Sequence, residues 1–513
     1  MLSIDCGTQS LRAMLFSATG ELIDNEKISY EPYFSPKPGW AEQDPEILWQ
    51  SLCKACQKLK EKQPELFENI AGVGITTQRN TMINVDKNGA PLRNAITWLD
   101  QRKSKKTYTP NPFMVLILKA VGMYDALSKT QTDGKCNWII QNEPDIWSKT
   151  YKYLQVSGFL NFRLTGSFLD SIGSQIGHIP FDYKKMKWSK KGELSYSLFP
   201  VEIEKLSDLV MPGELIGKIT SKASNLTGIK EGIPVVACGS DKGCETIGMG
   251  VVDKSKASLS FGTTATVQTT SKNYFEAIKF MPPYPAVIPG YYNPEVEIFR
   301  GYWMITWFKN EFGYKERIEA EKNGVIPEIE LNKMLEQVPP GSMGLMLQPL
   351  WGPGLKHPEA KGAMIGFGGV HTRAHVYRAV IEGLAYSLLD GLHSIEKASK
   401  TKIREAGISG GASMSDEICQ ISADIFNLPL YRGVTHETSG LGAAIVTSVG
   451  LKLYEDFEIA IKNMVKRGKT FHPNGENRSL YNDLYKKVYK KMYGNLKHLY
   501  KDIRDITGYP ERI

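Results

Sequence analysis

The chain has no run of eighteen apolar residues, so no segment of it reads as a membrane-spanning helix. Cysteine is scarce, at seven in 513 residues. The one Cys-x-x-Cys spacing, Cys53 and Cys56, falls in a helical pattern with no second pair to complete a metal site. That excludes a disulfide scaffold and a structural zinc site, and it leads us to expect a reduced, cytoplasmic protein with buried thiols. Met1 runs straight into a strand pattern that Asp5 interrupts, so no signal peptide is expected. Neither G-x-x-x-x-G-K-[ST] nor G-x-G-x-x-G occurs, which excludes a P-loop and the dinucleotide fingerprint. Charge of one sign is not in large excess either: 63 Lys+Arg stand against 55 Asp+Glu, a net +8. Much of the surplus falls between Lys486 and Lys501 rather than in a patch of Arg and aromatics, so no nucleic-acid partner is expected.

What is present is an ordinary globular composition, 42% hydrophobic and 23% charged, on a chain too long for one core. Strand patterns at Leu2-Ser3-Ile4, Leu11 to Phe16 and Leu22-Ile23, joined by small polar turns, predict a β-meander. Asp44 and Pro45 fit the cap and first residue of a helix over 44–62, with Ile47, Leu48, Leu52, Cys56 and Leu59 at helical spacing. Strands and helices alternate to about residue 248, predicting an α/β domain over 1–248 and a second over 249–513. The second half repeats the layout. It has a strand and turn at 257–269, an irregular Pro- and Tyr-rich region at 272–300, helices at 372–399 and 415–426, and a strand at 403–409. The last helix, 480–503, is expected to dock through Leu484, Val488, Met492, Leu496, Leu499 and Ile503.

Two strand–turn units carry the chemistry. In Asp5-x-Gly7-Thr8-Gln9-Ser10-x-Arg12, small residues let backbone N–H groups approach phosphate oxygens and hydroxyls add donors. Ser260-Phe261-Gly262-Thr263-Thr264 repeats the theme in the second half, and Gly410-Gly411-Ala412 would let a nucleotide lie against the backbone. Asp5, at a strand end, suits a magnesium ion. Asp241, between Gly239 and Gly243 after the apolar run Ile233 to Ala237, either caps the next helix or lies at a cleft edge, where it would take a proton from a hydroxyl.

The ordered set of motifs resembles the FGGY family of carbohydrate kinases over about residues 1–470. It comprises Asp5-Cys6-Gly7-Thr8, Gly39-Trp40-Ala41-Glu42-Gln43-Asp44-Pro45, Gly74-Ile75-Thr76-Thr77-Gln78-Arg79, Trp98-Leu99-Asp100-Gln101-Arg102, Gly239-Ser240-Asp241, Phe261-Gly262-Thr263-Thr264, Arg378-Ala379-x-x-Glu382-Gly383 and Ser409-Gly410-Gly411-Ala412. The resemblance implies two actin-like, ribonuclease-H-like domains flanking a deep cleft, with ATP mainly on the second and sugar mainly on the first. It implies Asp241 as catalytic base, and Asp5 with Asp241 as the carboxylates that organise Mg2+. Thr8, Gln9, Arg12, Gly262, Thr263 and Thr264 would meet phosphates, and Gly410, Gly411 and Ser415 the adenosine. Arg79, Asn80 and Trp98 would join Asp241 around the substrate, a small sugar or polyol, with Gln78 in the same polar and aromatic sugar-side set; Lys242 either contacts a substrate oxygen or carboxylate or points to solvent and supports Asp241 electrostatically. Dimers are common in the family, so a homodimer is compatible with it. The chain also departs from the family pattern. Glycerol kinases have glutamate at Asn80, tyrosine at Thr130 and glutamine at Lys242, and xylulokinases have Met-His at Arg79-Asn80. Candidate acceptors therefore span ketopentoses, glycerol-like polyols and an aldonate that Lys242 would favour. A non-kinase actin-like ATPase and a silent sugar sensor are the alternatives outside the kinases.

Overall fold

The computed structural model describes residues 1–120, 123–351 and 359–509. Two six-stranded sheets carry the molecule. In the first, β1 (Leu2–Cys6), β2 (Ser10–Phe16) and β3 (Leu22–Ser29) form the expected antiparallel meander. β4 (Val73–Thr77) pairs in parallel with β1, and β5 (Leu215–Lys218) and β6 (Pro234–Val236) complete the order β5-β6-β4-β1-β2-β3. The second sheet comprises β7 (Lys256–Phe261), β8 (Ala265–Gln268), β9 (Glu295–Ile298), β10 (Glu405–Ser409), β11 (Leu430–Gly433) and β12 (Arg467–Phe471), in the order β9-β8-β7-β10-β11-β12. Each sheet is a meander followed by two parallel strands and an antiparallel edge strand. The edge strand precedes its neighbour in the chain in the first sheet and follows it in the second. The shared core of meander plus parallel pair is the ribonuclease-H-like arrangement.

Local sequence accounts for the helices. In α1 (Pro45–Lys62) the Asp44 carboxylate accepts from the Glu46 amide at 3.0 Å, proline opens the helix, and Leu48, Leu52, Cys56 and Leu59 are buried. The joint between the halves is made by α2 (Asp241–Gly248) and a second helix, Thr438–Gly450. They cross almost backbone to backbone. A Cβ on Gly442 would lie 1.9 Å from the Cys244 carbonyl oxygen, and one on Gly248 would lie 2.0 Å from that of Thr438. Although it follows β11 in the chain, the helix Thr438–Gly450 packs into a cluster with Met14, Phe16, Val236 and Ile247 from the first half.

Two expectations change. The region 272–300 is not wholly irregular, because it supplies β9, whose backbone pairs with β8 from Ala265 to Gln268. Charged Glu295 and Glu297 mask that strand's apolar alternation. The C-terminal segment docks partly as expected and partly through its tyrosines. Met492 is buried and Leu484 and Val488 pack against the core, but Leu499 and Ile503 are exposed, and Tyr481, Tyr485, Tyr489 and Tyr500 are buried. A π-helical turn at Leu484–Tyr489 shifts the register. Polar anchors also favour the tyrosine face: Tyr481 donates to Glu382, and Tyr485 to Asp390. Glu382 and Arg378, 2.8 Å apart, form a buried structural pair that also holds the Leu335 and Val338 carbonyls. All seven cysteines are free, and among the described residues no helix is long and apolar enough to cross a membrane.

Candidate active site

In open parallel sheets ligands gather beyond the carboxyl ends of the strands, and five such ends converge here. β1 leads into Gly7-Thr8-Gln9, β4 into Gln78-Arg79-Asn80, and the β6 segment into Ser240-Asp241. β7 leads into Gly262-Thr263-Thr264, and β10 into Gly410-Gly411. A parallel bridge from Thr77 to Ser240 extends the β4–β6 alignment and sets the Gln78–Asn80 loop beside the start of α2. Gly410, at φ +84°, backs onto the second hairpin, since a Cβ there would meet the Phe261 carbonyl carbon at 2.7 Å and the Gly262 nitrogen at 2.9 Å. Gly411 faces open space. Ser415 caps the helix Asp416–Phe426, accepting from the Ile418 amide at 3.2 Å.

Ser240, not Asp241, is the cap of α2, its hydroxyl accepting from the Gly243 amide at 3.2 Å. Asp241 is thereby left as the first helical residue, at the positive end of the helix dipole. Its side chain is 29% exposed, and Oδ1 lies 3.9 Å from Nε of Arg79. Arg79 reaches from the first half to the second, where its two terminal nitrogens donate to the two oxygens of Glu295, each at 3.1 Å. Its guanidinium also lies 5.3 Å from the Tyr284 ring centroid. Burial works against its charge, but Glu295 and then Asp241 more than offset that and raise its pKa.

The ammonium of Lys242 donates to Glu245 Oε2 and to Ser260 Oγ, each at 2.6 Å. Burial lowers its pKa, but Glu245 and Asp241 outweigh burial and the ammonium stays charged. Glu245 in turn accepts from Ser409 Oγ. One ion pair on the Asp241 helix thus reaches the ends of both β7 and β10. On the first-half side, Trp98 Nε1 donates to Thr8 Oγ1 at 3.0 Å, and Thr8 donates to Gln78 Oε1 at 3.3 Å. Gln78 is 4% exposed and its Nε2 has no partner. Asn80, at φ +57°, accepts from the His178 amide at 3.2 Å.

Asp5 is buried, and burial raises its carboxyl to about 7 against the opposing charge of Arg12, with Asp241 adding to the rise. Arg12 Nη1 lies 3.6 Å from Asp5, and its Nε lies 3.3 Å from Glu437. Two carboxylates held in mutual repulsion fit a divalent cation. Among the described residues no group of three or more His, Cys, Asp or Glu could hold a metal ion by itself.

The structure brings together Asp241, Arg79, Gln78, Trp98, Thr8, Lys242, Asp5 and Arg12. Thr263 and Thr264 remain at the rim, with Thr264 donating to the Phe299 carbonyl at 3.2 Å, and Gln9 is exposed. Sequence reasoning missed Glu245, Glu295, Glu297 and Glu437, and it named Ser260 only as part of the second hairpin. The Glu-x-Glu alternation at 295–297 was a signal, but nothing marked it as facing the first half.

Models of the FGGY family of carbohydrate kinases match the chain twice, the N-terminal domain over residues 1–248 and the C-terminal domain over 257–451. The chain belongs to the FGGY family. As a carbohydrate kinase it transfers phosphate from ATP to an alcohol group, and its fold is that of two actin-like domains about a cleft. An uncharacterized sugar kinase of Escherichia coli (strain K12), YgcE, is 30% identical over 94% of this chain and 90% of its own length. The xylulose kinase of Lactococcus lactis is 27% identical over 99% and 97%. Among solved structures, gluconate kinase from Lactobacillus acidophilus superposes with a TM-score of 0.81 at 21% identity, covering 98% of this chain and 100% of that one. Ligand-bound xylulose kinase from the same organism gives 0.80 at 21%, covering 98% and 99%.

Proposed function

We propose that this kinase phosphorylates a primary hydroxyl of a small open-chain sugar or polyol, a ketopentose such as xylulose or a glycerol-like polyol, with Asp241 as general base. The reading rests on one observation: the partly open carboxylate of Asp241 lies 3.9 Å from Arg79 of the Gln78–Asn80 loop, while its neighbour Lys242 reaches Ser260 at the end of β7. The xylulose and gluconate kinases that the chain resembles bracket the acceptor class.

The acceptor oxygen loses its proton to Asp241 as it bonds to the γ-phosphorus, and the bond from phosphorus to the ADP oxygen breaks with its electrons leaving on ADP. Gln78, Arg79, Asn80, Trp98 and Lys242 surround the acceptor end. Thr8, Gln9, Arg12, Gly262, Thr263 and Thr264 receive phosphate oxygens, while Gly410, Gly411 and Ser415 line the adenosine side. Asp5 and Asp241 would hold Mg2+, which when bound neutralises phosphate charge. The residues themselves bind, orient and exclude water as the domains 1–248 and 249–513 close on the α2 joint. That closure is what lets a sugar compete with hydrolysis.

The test is ADP release in a coupled assay over a panel of ketopentoses, glycerol, longer polyols and aldonates, with the product identified by mass spectrometry. Release stimulated by a panel member, with a phosphorylated product, is expected. ATP hydrolysis indifferent to every acceptor would point to an actin-like ATPase, and acceptor binding without product to a sensor.

A further inference from the structure

Resting on the reading of Gly262-Thr263-Thr264 as a phosphate turn, we propose that Arg300 is a further nucleotide-binding residue, its guanidinium contacting the triphosphate of ATP. Arg300 lies between β9 and the helix Trp303–Phe312, and the backbone on either side of it is tied to that turn. The Tyr302 amide donates to the Gly262 carbonyl at 3.0 Å, the Trp303 amide to that of Thr263 at 3.4 Å, and Thr264 Oγ1 to that of Phe299 at 3.2 Å. Gly301 permits this close approach, since a Cβ there would lie 2.4 Å from the Ala265 nitrogen. Tyr302 is buried and stacks on Phe261, with ring centroids 4.6 Å apart. Arg300 is left partly exposed beside the turn, its guanidinium 4.7 Å from the centroid of the Trp303 ring.

Charge sets this residue apart. The other cations placed at the site are already matched by carboxylates: Arg12 lies 3.6 Å from Asp5 and 3.3 Å from Glu437, Arg79 is held by Glu295, and Lys242 by Glu245. Arg300 has no carboxylate or hydrogen-bond partner among the described residues, only the Trp303 ring. An indole face orients a guanidinium without using its N–H groups, so all five donors stay available. A triphosphate remains anionic even with magnesium bound, and a planar guanidinium matches two phosphate oxygens at once. Phosphoryl-transfer enzymes set an arginine of this kind against the charge of the transferring group.

The experiment measures calorimetric binding of ATP and of AMP, without acceptor, to wild type, Arg300→Gln, Arg300→Lys and Thr263→Ala, with steady-state kinetics in parallel. Arg300→Gln is expected to weaken ATP by at least ~10-fold, the worth of charge-assisted hydrogen bonds, while AMP affinity and KM for the acceptor stay within ~2-fold. Arg300→Lys is expected to recover part of that loss, which separates the missing charge from any missing packing on Trp303. Unchanged ATP affinity in Arg300→Gln overturns the proposal. So do equal losses for ATP and AMP, which would place the side chain against the adenosine instead. A loss of ATP binding confined to Thr263→Ala overturns the assignment of Arg300 and leaves the phosphate turn standing. If neither Arg300→Gln nor Thr263→Ala affects ATP, the reading of the turn fails and the proposal falls with it.

Discussion

Gly442→Ala tests the joint that carries Asp241. The added Cβ would lie 1.9 Å from the Cys244 carbonyl oxygen and 2.5 Å from its carbon, against ordinary heavy-atom contacts near ~3.5 Å. The two helices must therefore part by more than about 1 Å, and overpacking of this kind costs about 1–3 kcal/mol. Elsewhere in a helix the same change stabilises, by up to about 1 kcal/mol. Gly494, in the C-terminal helix with nothing within 4 Å of an added Cβ, is the matched control. Catalysis should suffer more than stability, because displacing Asp241, the proposed base, by about 1 Å is enough to lower turnover ~10²-fold. Urea unfolding midpoints and kcat for both variants decide the matter. If Gly442→Ala matches Gly494→Ala in both, the reasoning about a rigid crossing is refuted.

Trp98→Phe keeps the ring but removes the donor to Thr8, and should raise KM for the acceptor about 3–10-fold, the worth of one hydrogen bond, with kcat nearly kept. Glu382→Ala leaves the Arg378 guanidinium buried and uncompensated, and should cost about 3–5 kcal/mol in unfolding free energy while the surviving fold keeps its KM for ATP. Burial first, and Lys135 second, hold the His178 imidazole down to about 4. The unfolded chain, titrating near 6.5, therefore takes up its proton first on acidification. The residue's share of stability is present above pH ~6.5 and lost as pH falls toward ~4, so the gap between wild type and His178→Asn should narrow by about 2 kcal/mol from pH ~7 to ~5 in urea titrations.

Much of the fold could be read from the sequence because its signals are local. Asp44-Pro45 marks a helix start, small polar turns mark the first meander, and strand ends followed by Gly-Thr mark both hairpins. Asp241 stood out as a candidate base for the same reason, since it follows an apolar strand within a glycine-rich turn. What escaped was long-range pairing. Glu295 meets Arg79 across 216 positions, and Ser409 meets Glu245 across 164, and no periodicity reports such distances. The stripe expected on the C-terminal helix held at Leu484, Val488 and Met492 but failed at Leu499 and Ile503, because hydrophobicity ranks leucine above tyrosine, whereas hydroxyl acceptors such as Glu382 and Asp390 reward the tyrosines. Lys242 was legible as a departure from its relatives, but its partners at Glu245 and Ser260 were not.

Single-turnover phosphoryl transfer by Asp241→Asn, at saturating ATP and the preferred acceptor, tests the account most directly. The substitution preserves shape and removes only the proton-accepting charge, so the rate should fall by at least ~10² while nucleotide binding persists. Transfer at close to the wild-type rate would contradict the assignment of Asp241 as the base.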